Sequence, residues 1–341
     1  MGVKRVGILG AGVVGLNTAI QLQNEFPTLD VTIIAEKFNQ DTTSDGAAGL
    51  FRPSSSFSGP SLEITKKWIL DSYRYYDALR ITGEGEAGGI FQIPAYIFSN
   101  YNEGMVKNHL LETVVPVYRS MTESELEEYP GWKWGAFYKT LIMECREYQP
   151  WAIEKITRSG GKFRQAKVNS FSDVEDFDVV INCTGLGAKY LCNDPKLTPI
   201  RGQIIKVRAP WVKASYMADF DTYIIPNRNT ITLGGCRNYG SYDLSVCPFT
   251  KADIQKRCSA VVPSLEKAEF VRDWVGLRPH RDPVRVEAEN IQLPSGKNLS
   301  VVHNYGHGGY GVTSSPGTAM HAVKLFAEKH AASVGSALSK L

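Results

Sequence analysis

Gly10-Ala11-Gly12-Val13-Val14-Gly15 is the stretch of sequence that decides the fold of this chain. It follows an apolar segment, Lys4 to Leu9, that is typical of a buried strand, and it leads into a segment from Gly15 to Phe26 with the apolar periodicity of a helix. In such a turn the first glycine permits the tight bend, the second lets the backbone approach a pyrophosphate, and the third allows close helix–strand packing. The free amides at the helix amino end favour the phosphates. The stretch therefore predicts a dinucleotide site.

A second apolar segment, Asp30 to Ala35, completes a βαβ unit. Glu36 follows it directly, where an acidic side chain binds the ribose hydroxyls of a dinucleotide. NAD and FAD both use this arrangement, so the motif alone does not choose between them. A flavin reaches far from the pyrophosphate and needs further backbone and hydroxyl contacts, and three later segments favour FAD because they offer them: Thr42 to Leu50, Thr184-Gly185 and Gly306 to Gly311.

The bulk composition is that of an ordinary globular protein, with 341 residues, 43% hydrophobic and 21% charged. A net charge of +3 gives no argument for a nucleic-acid partner. No apolar run approaches the roughly 18 residues that cross a bilayer, and the amino end does not read as a secretory signal. We therefore interpret the six cysteines as free thiols, and since none has zinc-ligand spacing, we predict no metal site.

The tripeptide Ser339-Lys340-Leu341 matches the address that a peroxisomal import receptor reads. It predicts the peroxisome matrix as the compartment and that receptor as a partner. No membrane partner is expected, and a homo-oligomer is left open.

Several later segments predict a second domain and a return to the first. A helix is expected at the carboxyl end, with Ser315 as its cap and Pro316 in its first turn. The other expected elements are helices over Ser61 to Leu79 and over Tyr138 to Thr157, the latter interrupted at Pro150, an antiparallel sheet of Ile200 to Val207, Thr222 to Pro226 and Thr230 to Gly234, and buried strands over 178–182 and 298–304.

The expected fold class is α/β, with a Rossmann-type FAD-binding domain and a second α+β substrate domain built on a mixed or antiparallel sheet. Because the chain is expected to leave the nucleotide domain and return to it, the FAD-binding domain is assigned to 1–57, 139–196 and 285–341. The substrate-binding domain is assigned to 58–138 and 197–284.

Motifs along almost the whole chain resemble those of the FAD-dependent D-amino-acid oxidases. The most specific is the segment His303 to Gly311, which reads His-Asn-Tyr-Gly-His-Gly-Gly-Tyr-Gly. The others are Gly10 to Gly15, Asp41 to Asp45 with Ala47-Ala48-Gly49, Asn182 to Gly185, Arg201-Gly202-Gln203, Leu233-Gly234-Gly235 and Gly276-Leu277-Arg278-Pro279. The resemblance implies the oxidation of a D-amino acid to a 2-oxo acid and ammonia by hydride transfer to flavin N5, with flavin reoxidation by oxygen giving hydrogen peroxide.

The motifs and the resemblance together select non-covalently bound FAD and a set of residues to hold it. These are Gly10, Gly12, Val13, Val14, Gly15, Glu36, Lys37, Thr42, Thr43, Ser44, Ala48, Gly49, Leu50, Val168, Thr184, Gly185, Arg278, Gly308, Gly309, Tyr310, Gly311, Val312 and Thr313.

The resemblance also assigns residues to the substrate. Arg278 matches the arginine that binds the α-carboxylate, which suits a planar and permanently charged guanidinium. Tyr223 matches a tyrosine that hydrogen-bonds the same carboxylate, and the Gly309 carbonyl matches the acceptor for the amine. No acid or base is required of the protein, so neither His303 nor His307 is predicted to be one. Both are expected to be positioned by backbone bonds.

Arg237 and one short segment favour an acidic substrate side chain. Arg52 occupies a position that lines the family's pocket, and two interpretations of it stay open: it shares a distal carboxylate with Arg237, or it points to solvent or to an FAD phosphate. Arg237 stands where acid-oxidising members of the family carry arginine. A cation there pairs with a distal carboxylate and disfavours an apolar side chain. The stretch from Trp211 to Tyr223 is also shorter than the lid of the neutral-substrate members. We therefore expect D-aspartate as substrate, with D-glutamate and N-methyl-D-aspartate as further candidates.

Two departures keep a neutral-substrate oxidase open as the alternative. No arginine lies near Met217-Ala218, where the mammalian acid-oxidising members carry one in the lid, and Gly309-Tyr310 resembles the neutral-substrate branch. An NAD-dependent dehydrogenase and a catalytically silent flavin-binding protein are the remaining alternatives from other classes.

Overall fold

The computed structural model describes residues 3–54 and 56–334. Its strands are β1 (Arg5–Leu9), β2 (Asp30–Ala35), β3 (Ile90–Ser99), β4 (Val117–Ser120), β5 (Trp134–Met143), β6 (Lys162–Gln165), β7 (Val179–Asn182), β8 (Thr198–Arg208), β9 (Ser215–Ala218), β10 (Thr222–Pro226), β11 (Ile231–Gly234), β12 (Asn238–Tyr239), β13 (Glu269–Gln292) and β14 (Asn298–His307). Its α-helices are α1 (Val13–Glu25), α2 (Leu62–Ile81), α3 (Glu84–Ala87), α4 (Glu123–Glu127), α5 (Cys145–Arg158), α6 (Ala188–Leu191), α7 (Pro248–Val261) and α8 (Gly311–Val334). Ser339-Lys340-Leu341 lies outside the described residues.

A parallel sheet carries the dinucleotide motif. This sheet has the strand order β14, β7, β1, β2, β6, and each strand is parallel to the strand next to it. β1 lies between β2 and β7, so the chain passes to one side of β1 through α1 and later returns on its other side. Ligands of such sheets bind outside the carboxyl ends of the strands, at the point where the strand order reverses. The motif follows β1 at this point.

The rest of the sheet is mostly antiparallel, as the sequence predicts for 200–207, 222–226 and 230–234. β10 pairs with β9 and β11, and β11 pairs with β8. The long strand β13 joins the two parts, because its first half pairs with β8 and its second half with β14. The register shifts between His280 and Arg285, where β13 passes from one partner to the other. The predicted fold class is confirmed.

Two of the apolar clusters among the described residues pack helices against the sheet. The larger contains the buried rings of Trp68, Tyr76 and Tyr148 and packs α1, α2, α5 and α8 together. The smaller is formed where α7 lies on β8, β10 and β11, with Ile254 and Cys258 fully buried against them. No helix within residues 3–54 and 56–334 is long and apolar enough to cross a membrane.

The prediction of a helix over Tyr138 to Thr157 is wrong in its first part. Residues 138–143 belong to β5, where Tyr138 pairs with Ala95 of β3, and the helix begins at Cys145. The buried positions in this segment include every residue from 140 to 143, a pattern that suits a strand covered on both faces. Pro150 lies inside α5 without interrupting it, because a proline removes only the one hydrogen bond to the carbonyl four residues earlier.

The predicted start of the last helix at Ser315-Pro316 is also wrong. The helix begins four residues earlier, at Gly311, and continues through the proline. The carbonyl of Val312, which Pro316 cannot bond, accepts a hydrogen bond from the Tyr76 hydroxyl at 2.9 Å instead. The Ser315 hydroxyl does not cap the helix but accepts from the Asn17 amide at 2.9 Å. Tertiary partners therefore replace the cap that the sequence predicts.

The division into two domains stays a prediction. Two of its boundaries, 138/139 and 284/285, fall inside the continuous strands β5 and β13.

Candidate active site

One large cavity, of about 860 Å³, lies between the parallel and antiparallel parts of the sheet. Its walls come from segments at the carboxyl ends of β1, β2 and β7, from β8, β10 and β13, and from the start of α8. Two groups of its lining residues matter below. We call them the glycine region (Gly10, Gly12, Val13, Val14 and Ser44) and the arginine region (Arg52, Asp221, Tyr223, Arg237, Arg278 and Tyr310).

Backbone packing makes glycine necessary at two positions of the motif. Gly10 has φ +103°, and a Cβ there would lie 2.4 Å from the Cys183 carbonyl oxygen. A Cβ on Gly15 would lie 1.9 Å from the Gly10 carbonyl oxygen, so helix and strand could not approach as they do. Gly12 differs, because its Cβ would meet only the Ser44 hydroxyl, at 3.2 Å. We infer that Gly10 and Gly15 hold the turn, while Gly12 leaves open space beside the cavity.

The amino end of α1 faces this open space with few competing groups. Gly12 provides no side-chain cap, and no acidic residue lies in the first turn. The Val13 amide donates to the Ser44 hydroxyl at 3.0 Å. A helix end of this kind keeps amide donors and a partial positive charge for an anionic group.

The cavity brings together every predicted cofactor residue except Gly15, which supports the turn from behind. Glu36 is exposed at the end of β2 and lines the cavity. The segment from Gly308 to Thr313 also lines it, and it includes the first residues of α8. The amino ends of α1 and α8 thus both reach the same cavity.

Arg278 is held in place by neighbouring backbone. Its Nη1 donates to the Cys236 carbonyl at 3.0 Å, and its guanidinium lies so close to Gly202 that a Cβ there would come within 2.3 Å of Nη2. Gly309 is also adjacent, since its Cβ would lie 3.2 Å from Arg278 Cδ. No carboxylate of the described residues pairs with Arg278. A guanidinium that is fixed but has no counter-ion is suited to bind an anion from the cavity.

Tyr223 lies beside Arg278 on the adjacent wall. Its ring covers the Gly234-Gly235 peptide, where a Cβ on Gly235 would lie 2.6 Å from the phenol oxygen. Burial raises the pKa of Tyr223, and the nearby charge of Arg278 lowers it by less, so the net direction is upward. The phenol therefore keeps its proton and can donate a hydrogen bond.

Arg237 has a partner that the sequence did not reveal. Its Nη2 forms an ion pair with Asp221 Oδ1 at 2.9 Å, and both residues line the cavity. Burial lowers the pKa of Arg237, whereas the phenol of Tyr310 and the carboxylate of Asp221 raise it. The raising effects are larger together, so the pKa lies above its ordinary value. Arg237 lines the cavity, but a carboxylate of the protein itself offsets its charge.

Arg52 differs from Arg237 because its charge is not offset by a carboxylate of the described residues. Its Nε is buried without a hydrogen-bond partner, although the residue lines the cavity. Tyr310 lies near both arginines and contacts the Ser56 hydroxyl at 3.3 Å. Burial raises the pKa of Tyr310, yet the charge of Arg237 and, to a smaller extent, that of Arg52 help to move it downward. The arginine region thus carries three guanidinium groups and one carboxylate.

The two histidines of the glycine-rich segment are neutral structural groups. Burial lowers the pKa of His307 to about 3, and burial together with the charge of Arg285 lowers that of His303 to about 4. His307 Nε2 lies 3.0 Å from the Thr318 hydroxyl, and His303 Nε2 lies 2.7 Å from a Glu289 carboxylate oxygen. Side chains therefore position both rings, and not the backbone bonds that the sequence analysis expected.

Comparisons with known proteins give the family. The model of the FAD-dependent oxidoreductase family named DAO matches residues 5–325. D-aspartate oxidase of Homo sapiens is 37% identical over 332 residues, which cover 96% of this chain and 96% of that protein. The chain belongs to the D-amino-acid oxidase family of FAD-dependent oxidoreductases. The resemblance stated from the sequence is therefore confirmed.

Other relatives and structures agree with this membership. D-amino acid oxidase of Dugesia ryukyuensis is 34% identical over 314 residues, covering 90% of this chain and 93% of that protein. The crystal structure of glycine oxidase from Geobacillus kaustophilus superposes with a TM-score of 0.78 and covers 95% of each chain at 20% identity, which shows a shared fold. Family membership makes FAD the cofactor, which confirms the sequence prediction and sets the NAD-dependent alternative aside.

The residues present fit FAD. The cavity volume suits a large ligand, Gly10 and Gly12 leave the backbone open beside it, and two helix amino ends face it. The glycine region would hold the pyrophosphate and Glu36 the ribose. Within the described residues no group of His, Cys, Asp or Glu is arranged to hold a metal ion.

Sequence reasoning missed three residues of this site. Asp221 offsets Arg237, the Cys236 carbonyl orients Arg278, and Gly202 makes room for its guanidinium. Arg201-Gly202-Gln203 was among the family motifs, which was the available signal for Gly202. No spacing rule connects Asp221 with Arg237, because their contact depends on the pairing of β9, β10 and β11.

Proposed function

We propose that this chain is a D-aspartate oxidase. The reaction converts D-aspartate, oxygen and water to the corresponding 2-oxo acid, ammonia and hydrogen peroxide. D-glutamate and N-methyl-D-aspartate are expected further substrates, because they also carry a second carboxylate.

Arg278 and Tyr223 are proposed to bind the α-carboxylate. The guanidinium is fixed by the Cys236 carbonyl and has no carboxylate partner among the described residues, and the Tyr223 phenol lies beside it as a neutral donor. The Gly309 carbonyl, next to Arg278, is proposed to accept from the substrate amine. These three contacts fix the orientation of Cα, and orientation is worth several kcal/mol of a barrier, roughly 7–11 in favourable cases.

FAD, when bound, supplies the acceptor for the hydride that leaves Cα. The side chains and backbone of the protein contribute by binding and orienting the substrate. Burial lowers the pKa of His307 to about 3 and that of His303 to about 4, so both imidazoles are weak bases and neither is suited to remove a proton from the substrate.

Arg52 is the observation that carries the acidic preference. It presents a guanidinium to the cavity with a buried Nε that has no hydrogen-bond partner. Arg52 also has no carboxylate partner among the described residues, and an unpaired guanidinium that lines a cavity is suited to bind a carboxylate of the substrate. Arg237 lies in the same region and adds a second, partly offset charge. We propose that both guanidinium groups share the distal carboxylate.

An oxidase of neutral D-amino acids is the second candidate. The ion pair between Asp221 and Arg237 favours it, because an arginine that already has a counter-ion selects less strongly for a substrate carboxylate. D-aspartate and D-asparagine separate the two candidates, since they differ in charge but hardly in shape.

The decisive experiment measures kcat/KM of the FAD-loaded protein on D-aspartate, D-asparagine and D-alanine, with peroxide as the readout. A D-aspartate oxidase prefers D-aspartate by about tenfold or more, which corresponds to roughly 1.4 kcal/mol. Arg52→Gln is expected to raise KM for D-aspartate and to leave KM for D-asparagine nearly unchanged. Equal KM values for D-aspartate before and after the substitution would end the proposed role of Arg52.

Arg164→Gln is the matched control for that variant. Arg164 also has a buried Nε without a partner, but it lies on β6 and does not line the cavity. Its removal is expected to change KM for neither substrate.

We also propose that the enzyme works in the peroxisome matrix, on the strength of Ser339-Lys340-Leu341. That compartment would dispose of the hydrogen peroxide. Fluorescent fusions with and without the tripeptide test this: loss of peroxisomal localisation only in the truncated form supports it, and identical localisation contradicts it.

A further inference from the structure

We propose that Asp221 is a specificity-determining residue that weakens the preference for acidic substrates by occupying Arg237. The inference rests on the proposed function and deepens it. A dicarboxylic substrate must then share Arg237 with a carboxylate that the protein itself provides.

The contact that motivates this lies within the cavity. Arg237 Nη2 and Asp221 Oδ1 are 2.9 Å apart, and their side chains are 41% and 34% exposed. Neither residue is therefore sealed inside the protein, and both line the wall that also carries Tyr223 and Arg278. A ligand can reach the ion pair from the cavity.

The backbone keeps Asp221 at this position. Phe220 and Asp221 both have φ +58°, in the left-handed region, and the Asp221 carbonyl accepts from the Gly235 amide at 2.7 Å. Arg257 ties the same two segments from outside the cavity, donating to the Phe220 carbonyl at 2.7 Å and to the Gly235 carbonyl at 2.9 Å. The turn and the Gly235 segment are fastened together, so Asp221 stays opposite Arg237.

The two cations of the arginine region are consequently unequal. Arg52 has no carboxylate partner among the described residues, while Arg237 has one. A distal carboxylate that approaches Arg237 meets the like charge of Asp221 as well as the opposite charge of the guanidinium. Like charges a few ångströms apart repel each other at a partly exposed site, so Asp221 weakens the attraction of Arg237 for the substrate carboxylate.

Asp221→Asn tests the role of that charge. It keeps the size and an oxygen acceptor, and asparagine is one of the residues best suited to φ +58°. We expect KM for D-aspartate to fall roughly five- to tenfold and KM for D-asparagine to change by less than about twofold. The wild type and the variant, each measured with both substrates, form a thermodynamic cycle. Its interaction energy separates the effect of the two charges on each other from a general loosening of the site.

Asp30→Asn is the matched control. Asp30 is also part of an ion pair of 2.9 Å, with Lys162, and has a similar exposure of 42%, but it does not line the cavity. Asp30→Asn removes the same charge and is expected to leave the KM values for D-aspartate and D-asparagine unchanged. If Asp221→Asn does not yield folded protein, Asp221→Gly removes the carboxylate and suits the same positive φ.

Binding of unreactive ligands separates failure of this inference from failure of the proposed function. Succinate and butyrate have the same chain length and differ by one carboxylate, and their dissociation constants are measured by titration of the flavin absorbance. Tighter binding of succinate by Asp221→Asn, with butyrate unchanged, supports the inference even if the wild-type protein does not oxidise D-aspartate. An unchanged or lower affinity for succinate, or an equal gain for both ligands, overturns it whatever the wild-type substrate is.

Discussion

The glycine region and the arginine region line one cavity but are built in different ways. The glycine region consists of backbone from one short stretch and Ser44, and its geometry follows from the local demands of a strand–turn–helix unit. The arginine region consists of side chains from separated segments, among them β10 and β13. Its properties depend on which charges meet, so a motif that fixes one region leaves the electrostatics of the other undetermined.

The largest effect is expected from a Cβ at the back of the glycine region. Gly15→Ala places a carbon 1.9 Å from the Gly10 carbonyl oxygen, so that α1 must move away from β1. We expect a loss of more than about 3 kcal/mol in the free energy of unfolding and protein that is purified without FAD. Flavin absorbance and chemical denaturation measure the two effects.

Gly12→Ala sharpens this prediction within the same motif. Its Cβ would meet only the Ser44 hydroxyl, at 3.2 Å, and would project beside the cavity. The variant is expected to fold with nearly unchanged stability but to bind FAD more weakly. Equal stability losses in Gly12→Ala and Gly15→Ala would contradict the different roles assigned to the two glycines.

The sequence predicts the glycine region well because that region is local. β2 was predicted at its observed bounds, and the strand before the motif and the helix after it were placed within two residues. The errors occur where tertiary contacts override local signals. Pro316 looks like a helix start, but α8 runs through it because Tyr76 satisfies the Val312 carbonyl.

A change in the arginine region should affect turnover and leave the flavin in place. Arg278→Gln removes the fixed charge that is proposed to bind the α-carboxylate, so kcat/KM is expected to fall about 100- to 1000-fold for acidic and neutral substrates alike. Most of the FAD should be retained, because Arg278 is only one of the many residues expected to hold the cofactor. Arg208→Gln, which breaks an exposed ion pair with Glu269, is the control and should retain activity. A similar loss for both variants would contradict the assignment.

The arginine region could be predicted only in part. Arg52, Tyr223, Arg237 and Arg278 line the cavity as the sequence analysis expected. The sequence does not reveal Asp221 as part of the site, because its partner Arg237 lies on the far side of the β10–β11 pairing. No local pattern predicts that contact. A single opposite charge changes what an arginine selects, so side-chain sites need the tertiary structure.

The buried histidines predict a loss of stability in acid. Their folded-state pKa values, about 3 for His307 and about 4 for His303, lie below the ordinary value of 6.5. Between those values and 6.5 the unfolded chain binds more protons, so stability falls as the pH falls through this window. From pH 6.5 to about pH 5 the contribution of His307 is expected to decrease by about 2 kcal/mol.

Chemical denaturation of His307→Asn at several pH values checks this. The variant cannot titrate in this window, so its stability should depend less steeply on pH than that of the wild type. His109→Asn, which changes an exposed histidine, is the control variant. Equal slopes for all three proteins would show that His307 is not a neutral buried group.

The smallest expected effect comes from Arg257, which touches neither region directly but fastens the turn of the arginine region. It donates to the Phe220 and Gly235 carbonyls, and Gly235 lies two residues before Arg237. Arg257→Gln should loosen the positions of both Asp221 and Arg237. Because the loss of a fixed Arg237 guanidinium outweighs the weaker repulsion from Asp221, we expect KM for D-aspartate to rise roughly three- to tenfold with kcat nearly retained. Arg257→Lys should recover only part of this, because an ammonium lacks the planar fork that reaches two carbonyls at once.

Arg158→Gln is the matched control for this prediction. Arg158 also pairs with an acidic residue four positions earlier on its helix, as Arg257 does with Asp253, but it bonds no segment of the cavity wall. If the two glutamine variants behave alike, Arg257 acts only on the stability of α7. If only Arg257→Gln raises KM while FAD content stays constant, then a side chain outside the cavity helps to set the charges within it. The two supporting glycines of the motif show no such dependence on a distant side chain, because a Cβ on Gly10 would meet the Cys183 carbonyl and a Cβ on Gly15 would meet the Gly10 carbonyl, both of them backbone groups.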